Sequence, residues 1–578
     1  MLLEKLRHYA DHLDLSPPMY QKAPIRWLID IDHSGNLVGH GWTMTTGGKK
    51  GKSDRGKEYE APHVGRSVGI RAKLLADTGE YVLGMARDLK KQSRVDECHS
   101  AFINQVRACA AETKEPSVIA VLRFLEKLED SSLALPDDFD PGQVLTFRVN
   151  GQLPIELPSV QAYWAAVGSK DTNEKQKSNE QEMQCLICGE FRSPVKRLPF
   201  KIKRIPGGQS SGTSLISANE KAFESYGLEA SLIAPTCQDC GERFSKAINT
   251  LIEGEDTHVT VGPLVYLFWT KEKGPFSVAS LLSRPESDEV RTLIASVFGG
   301  HQAATELDNS QFYATALSAS GGRAVVRDWL ETTVQRVQQH LARYFALQKI
   351  VDWEGSLGDP FGLYALSAST VRDVNKELPT NTPKMLLHMA LKGGRLPLWL
   401  LFQTVKRNRA EQGITRPRAA LIKMVLLSQT EDTKEDDMVQ LDLSNHEPAY
   451  LCGRLLAVLE SIQREALGRK INTTITDQFF GTASSAPASV FGRLIRGSQA
   501  HLGKLRKDKK KKSAYEALQS KLEEVLADLE EGFPKTLALK EQGLFGLGYY
   551  HQRAFDRAAR TAAIAKKKQR KSENENFE

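Results

Sequence analysis

Two near-copies of one hexapeptide, Cys185-Leu-Ile-Cys188-Gly-Glu and Cys237-Gln-Asp-Cys240-Gly-Glu, bracket a long stretch of this 578-residue chain. A C-x-x-C turn lets two thiolates face one cation, and the glycine after it lets backbone N–H groups approach the sulfurs. Two such turns supply Cys185, Cys188, Cys237 and Cys240 as the four-coordinate sphere of a structural zinc. A redox dithiol or two ordinary turns would also use C-x-x-C, and the repeat of the whole hexapeptide weighs against both. The 48 residues between the pairs exceed a compact zinc ribbon, so the metal is expected to staple the base of an excursion. Four thiolates fill the sphere and leave no open position for catalysis.

The chain is too long for one core, and two to four domains are expected. Three further cysteines, Cys98, Cys109 and Cys452, have no evident partner in the sequence. That usage fits a reducing cytosol, and the expected location is cytoplasmic. The start, MLLEKLRHYADHLDL, reads as a charged amphipathic helix and not as a signal peptide. No apolar run reaches 18 residues, and LPLWLLF at 396–402 is far too short to span a bilayer, so a soluble protein without a membrane partner is expected.

Periodicity divides the chain into regions. After the first helix, IRWLIDID and LVGHGWTM alternate around a turn at 33–36 and predict a β-hairpin. Two amphipathic helices follow within 95–130, then a strand pair turning at Asn150-Gly151 within FDPGQVLTFRVNGQLPIE. The polar stretch 169–182 reads as a linker. Beyond Cys240, ERFSKAINTLI predicts a helix, VGPLVYLFWT a buried strand, and 311–345 two strands and a long helix. From about 380 the period is helical throughout. In the last clear helix Ser513 and Glu516 make a capping box, Leu518, Leu522, Val525 and Leu529 an apolar face, and Gly532 a stop. The predicted fold is α+β multidomain. Residues 1–184 form an N-terminal α+β domain with a basic loop, 185–240 the stapled insertion, 241–380 a central α/β region, and 381–578 a helical bundle.

Net charge is +7, a mild excess, but the cations come in blocks. Lys49, Lys50, Lys52, Arg55 and Lys57 share a glycine-rich loop with one acid, Asp54. Gly51-Lys52-Ser53 imitates the end of a phosphate-binding P-loop, but Thr46 stands where its first glycine belongs and no helix former follows. A flexible cationic loop suited to nucleic-acid phosphates is the better reading. Arg192, Lys196, Arg197, Lys201, Lys203 and Arg204 form a second, acid-free block, with Pro194 and Pro199 arguing for an extended chain. Gln209, Ser210, Ser211 and Asn219 follow in a Gly/Ser stretch, and Gln and Asn are side chains that read base edges. Lys509, Lys510, Lys511 and Lys512 form a third block, with more cations at 566–571. Each block read alone is also an ordinary solvated surface.

No catalytic constellation emerges. The 13 histidines show no H-E-x-x-H pattern, there is no G-x-S-x-G elbow, and the acidic stretches at 137–140 and 431–438 lack the ligand alternation of a calcium loop. The chain reads as a zinc-stapled nucleic-acid-binding protein. The alternative is a zinc-containing nuclease whose active site is assembled from dispersed acids.

The sequence resembles the large subunit of the type I-C CRISPR surveillance complex, Cascade. The resemblance rests on VGRSVGIRAKLLADTGEYVLG (64–84), CLICGE followed by GGQSSGTSLISANEKAFESYG (207–227), GGRAVVRDWLETT (321–333), and GGRLPLWLL with RPRAALIK (393–401, 416–423). These pieces keep one order over most of the chain. Zinc belongs to this sequence rather than to the family, many of whose members lack some of the cysteines. The resemblance implies a non-catalytic subunit of an RNA-guided antiviral effector, placed beside the 5′ end of the crRNA. It implies recognition of the protospacer-adjacent motif in double-stranded DNA, strand opening, R-loop formation, and recruitment of a helicase–nuclease. Implied partners are a repeated backbone subunit, a subunit binding the crRNA 5′ end, a small subunit, target DNA and the displaced strand. The small subunit is implied to start internally near Met438, with Met424 as the other candidate.

Overall fold

The computed structural model describes residues 1–48, 54–66, 69–128, 133–174, 182–198, 200–218, 220–271, 276–298, 310–430, 437–468, 471–529 and 532–575, without the side chains of 168–174, 298 and 566–575. The fold is mixed α+β, with sheets in the N-terminal and central parts and a helical C-terminal part. It divides into two compact units, Met1–Thr250 with Ala319–Val325, and Leu251–Ser318 with Val326–Glu578.

The first unit carries β1 (Tyr20–Ile25), β2 (Trp27–Ile31), β3 (Leu37–Met44), β4 (Lys57–Pro62), β5 (Ala76–Thr78), β6 (Val144–Val149), β7 (Met183–Gln184) and β8 (Phe191–Arg192). The main sheet has the order β3-β2-β6-β5, with β2 and β6 parallel and the outer pairs antiparallel. Trp27, Leu28, Ile29 and Ile31 are all buried, as befits a central strand whose two faces are both covered. Helices Gln92–Thr113 and Pro116–Leu128 contribute Phe102, Val121 and Phe124 to the same core. Phe124 meets Phe147 of β6 edge-on at 5.9 Å.

The expected β2–β3 hairpin and the two helices form. The expected strand pair at Asn150-Gly151 does not. Asn150 and Gly151 do take positive φ in a tight turn, but the return arm is a 3-10 turn, Pro154–Glu156. Pro154 has no N–H to give to a ladder, and β6 finds its partners in β2 and β5 instead. Pairing of β1 with β4 was not anticipated.

The second unit carries β9 (His258–Val261), β10 (Leu264–Thr270), β11 (Gln311–Ser320) and β12 (Arg323–Thr333), in the order β12-β11-β10-β9, except that the tip of the β11–β12 hairpin, Ala319–Val325, belongs to the first unit. One face packs Tyr266, Phe268, Phe312 and Ala314 into a core continuous with the helices from Val334 onward. At its centre lies helix Pro448–Leu467, with Leu451, Cys452, Leu455, Leu456, Val458 and Leu459 all buried. An all-round apolar helix must be enclosed. It meets helix Leu539–Glu575 at glycines: a Cβ on Gly453 would lie 2.0 Å from the Phe545 carbonyl oxygen, and one on Gly548 2.1 Å from that of Tyr450. Between these helices Glu460, buried, accepts from the Tyr549 hydroxyl at 2.7 Å, Arg464 Nε at 2.8 Å and Arg553 at 2.5 Å.

The capping box expected at Ser513 and Glu516 is not formed. Helix Lys512–Ala527 begins one residue before Ser513, and Asp508 instead caps the preceding 3-10 turn Lys509–Lys511. The apolar face of that helix is as expected, with Leu522, Val525 and Leu529 buried.

Candidate metal centre and nucleic-acid interface

The two C-x-x-C turns meet. Ligand atoms of Cys185, Cys188, Cys237 and Cys240 all lie within 4.8 Å of one another, the one such cluster of His, Cys, Asp or Glu among the described residues. Each turn closes alike: Gly189 N–H donates to the Cys185 carbonyl at 2.9 Å, and Gly241 N–H to that of Cys237 at 3.0 Å. The Cys237 N–H points at Cys185 Sγ, 3.4 Å away. The chain segments are joined as well, because Leu186 N–H donates to the Pro235 carbonyl and Val195 N–H to that of Thr236.

Cys188 and Cys237 sulfurs stand 4.0 Å apart. A disulfide needs about 2 Å, whereas sulfurs 2.3 Å from a tetrahedral ion lie about 3.8 Å from one another. The arrangement fits a metal. The second turn opens helix Gln238–Glu253, whose amino end favours negative charge. The Cys237 thiol is drawn down, first by the hydrogen bond from the Cys240 side chain and then by the Cys240 backbone N–H. The same contact pushes Cys240 up. A bound cation would hold the remaining sulfurs as thiolates.

This helix is anchored to the N-terminal segment. Lys246 donates to the carbonyls of Ser16 and Pro17, each at 2.9 Å, and pairs with Glu242 at 2.6 Å. Glu242 in turn accepts from Met19 N–H at 2.9 Å.

The basic segment at 191–205 forms no helix among its described residues, as its prolines indicated. Val195, Leu198, Phe200, Ile202 and Ile205 point inward, while Arg192, Lys196, Arg197, Lys201, Lys203 and Arg204 are all exposed. Two of these cations are claimed by acids from outside the block, Arg192 by Glu190 and Lys196 by Glu229. Among the described residues Arg197, Lys201 and Lys203 have no ion-pair partner. Asn249, whose type carries no signal in the sequence, grips the backbone here. It accepts from Lys203 N–H at 2.9 Å and donates to the Lys201 carbonyl at 3.0 Å.

Ile202 and Thr213 then exchange both backbone hydrogen bonds, at 2.8 and 2.7 Å, and close a loop. At its tip Gln209, Ser210 and Ser211 are exposed together, with Gly212 N–H returning to the Gln209 carbonyl at 2.8 Å. Three of the four residues selected as base readers thus share one turn. Asn219 lies outside the described residues.

Of the 47–57 loop, Lys49, Lys50 and Lys52 also lie outside the described residues. Arg55 and Lys57 are exposed. The loop's single acid organises its ends: Asp54 is buried and accepts from Thr46 Oγ1 at 2.6 Å, Gly47 N–H at 2.8 Å and Gly56 N–H at 2.9 Å. These bonds, the Thr46 hydroxyl foremost, hold its carboxyl down at about 2, with Arg26 at 3.2 Å adding to them. Gly56 has φ +97°, and a Cβ there would sit 2.0 Å from the Ile25 carbonyl oxygen.

The third block belongs to the second unit. Lys509, Lys510 and Lys512 are exposed, but the Lys511 ammonium turns to Glu465, donating to its carbonyl at 2.5 Å. The side chains at 566–571 lie outside the description.

Fold and site together define an α+β protein with four clustered thiols, close enough to hold a metal, at the foot of a cationic loop. The family model of CRISPR-associated protein Cas_Csd1 matches residues 3–555, and the chain belongs to that family. No curated protein matches it. Membership supports the role of large subunit in a CRISPR effector, working with other CRISPR-associated components and crRNA. No described helix is long and apolar enough to cross a membrane.

Proposed function

We propose that this chain is the non-catalytic large subunit of a type I-C effector and binds double-stranded target DNA at the protospacer-adjacent motif. The observation that carries the reading is the exposure of Lys201 and Lys203 on the arm that leads into the Gln209–Ser211 turn, with Arg197 exposed earlier in the same segment. Cations on an extended backbone supply salt-dependent phosphate affinity, while a turn of short polar side chains can approach base edges. Arg55 and Lys57 would grip the same duplex. Lys509, Lys510 and Lys512 would neutralise the displaced strand, with Lys511 contributing less because Glu465 competes for it. Strand opening would let the guide RNA pair, and a recruited helicase–nuclease would do the cutting.

Cys185, Cys188, Cys237 and Cys240 would hold zinc, which cross-links the two ends of the excursion. The chain's own part is to present the cations and the polar turn in a defined register.

The test is anisotropy of labelled duplexes with varied flanking bases, titrated with salt. Replacing Arg197, Lys201 and Lys203 together by Ala should weaken binding to every duplex and flatten the salt slope by about two to three units. Gln209→Ala should instead weaken only motif-bearing duplexes. An unchanged salt slope in the triple variant would sink the reading.

A further inference from the structure

We propose that Arg323, at the tip of the β11–β12 hairpin, is a nucleic-acid contact working beside Gln209, its guanidinium engaging a paired acceptor on the DNA. The inference rests on the DNA-binding reading above and adds a residue to it from a distant part of the chain.

The hairpin tip is built into the Gln209 loop. Gln209 N–H donates to the Gly321 carbonyl at 3.1 Å, Ser214 N–H to that of Gly322 at 2.9 Å, and Ala324 N–H to that of Ser214 at 3.0 Å. Gly208 bridges to Gly321, and Ser214 to Arg323, in parallel. The loop and the tip therefore form one small β-structure inside the first unit. The glycines of the tip suit it. Gly321 has φ +56°, and a Cβ on Gly322 would come within 3.2 Å of Gln209 Oε1. The Gln209 side chain lies across that missing Cβ.

Arg323 stands at the next position, half-buried. Its guanidinium carbon lies 4.0 Å from the centre of the Phe223 ring. Such a stack fixes the plane of the guanidinium, so less freedom is lost when its fork meets two acceptors. Lys201, Lys203 and Arg204 lead into the loop, and no acid occurs in the sequence between Glu190 and Glu220, while Glu220, Lys221 and Glu224 flank Phe223. A paired acceptor on nucleic acid is either a phosphate group or the O6/N7 edge of guanine, and an arginine fork matches both. The bland reading is a structural arginine that merely pins Phe223.

The experiment uses the full chain and a panel of duplexes differing in their flanking base pairs, at several salt concentrations. Arg323→Ala should weaken binding about five- to hundredfold. If phosphate is the partner, the loss is the same on every duplex, the salt slope falls by about one unit, and Arg323→Lys restores binding. If guanine is the partner, the loss is confined to duplexes with G at one flanking position, and Arg323→Lys fails to restore it. Should Arg323→Ala lower the melting temperature, Arg323→Gln, which keeps a polar side chain on the tip, carries the same reading. Wild-type-like binding by these variants, while the Arg197/Lys201/Lys203 variant is weakened, overturns the Arg323 contact and leaves the DNA-binding reading standing. Unchanged DNA binding with weakened assembly of the effector overturns it in favour of a protein contact. No DNA binding by the wild-type chain overturns both.

Discussion

Asp54 shows what a single side chain decides here. In the sequence it is the lone acid among cations and looks like dilution of a basic loop. In the fold it is the loop's anchor, taking three hydrogen bonds from Thr46, Gly47 and Gly56. Asp54→Asn should therefore raise amide exchange at Gly47 and Gly56 without removing any cation; unchanged exchange would show that β1–β4 pairing alone holds the loop. Because its carboxyl is held at about 2, below the ordinary value of about 4, the anchor is complete above pH 4 and is lost as pH falls through about 2. His551 has the opposite relation to acid. Burial first, and the Lys423 charge second, hold it down at about 3, and its Nδ1 sits 3.0 Å from the Tyr450 hydroxyl. The folded chain keeps this ring neutral while the unfolded chain protonates it below about 6.5. Stability should therefore fall as pH drops below about 6.5. His551→Gln should lose that dependence in melts followed against pH.

At the level of elements, hydrophobic period located the helices within 92–128, at 238–253 and 334–348 and the helical character of the chain from about 380, because a 3.6-residue apolar stripe needs no distant partner to be recognised. Helices Pro158–Glu174 and Ser287–Phe298 were not anticipated, and the first runs into the stretch expected to be a linker. Strands were less legible. β1–β4 pairing and the partners of β6 depend on segments far apart in the chain, and a proline ended the hairpin that local turn chemistry suggested. The crossing of helices Pro448–Leu467 and Leu539–Glu575 is another contact that local pattern could not reveal. Gly548→Ala places a methyl group 2.1 Å from a backbone oxygen, which neither helix can rotate away. It should cost about 1–3 kcal/mol and lower the melting temperature, whereas Gly497→Ala, with open space around it, should not.

For the molecule as a whole, the cysteine cage links two chain segments of the first unit only. Removing metal with a chelator should raise hydrogen exchange across 185–214 and abolish motif selectivity, while the helical core around Pro448–Leu467 keeps its protection. Simultaneous loss of both would mean that the cage supports the entire fold. Metal content of one zinc per chain, falling to none in Cys188→Ser, would fix the ion's identity.

Sequence alone determined the two thiol pairs, the cationic blocks and the helical period, since each is written in the spacing of residues a few positions apart. It also placed Gln209, Ser210 and Ser211 in one short stretch. Only the tertiary structure decided which charges remain available. Glu190, Glu229 and Glu465 reach cations in or beside blocks that look uncontested in the sequence, and Asn249 and the Gly321–Arg323 turn support a loop from 40 to more than 100 residues away. Charge partners and backbone clamps act through distances in space, which residue spacing does not encode. The thiol pairs marked where the excursion begins and ends, and folding determined what it presents.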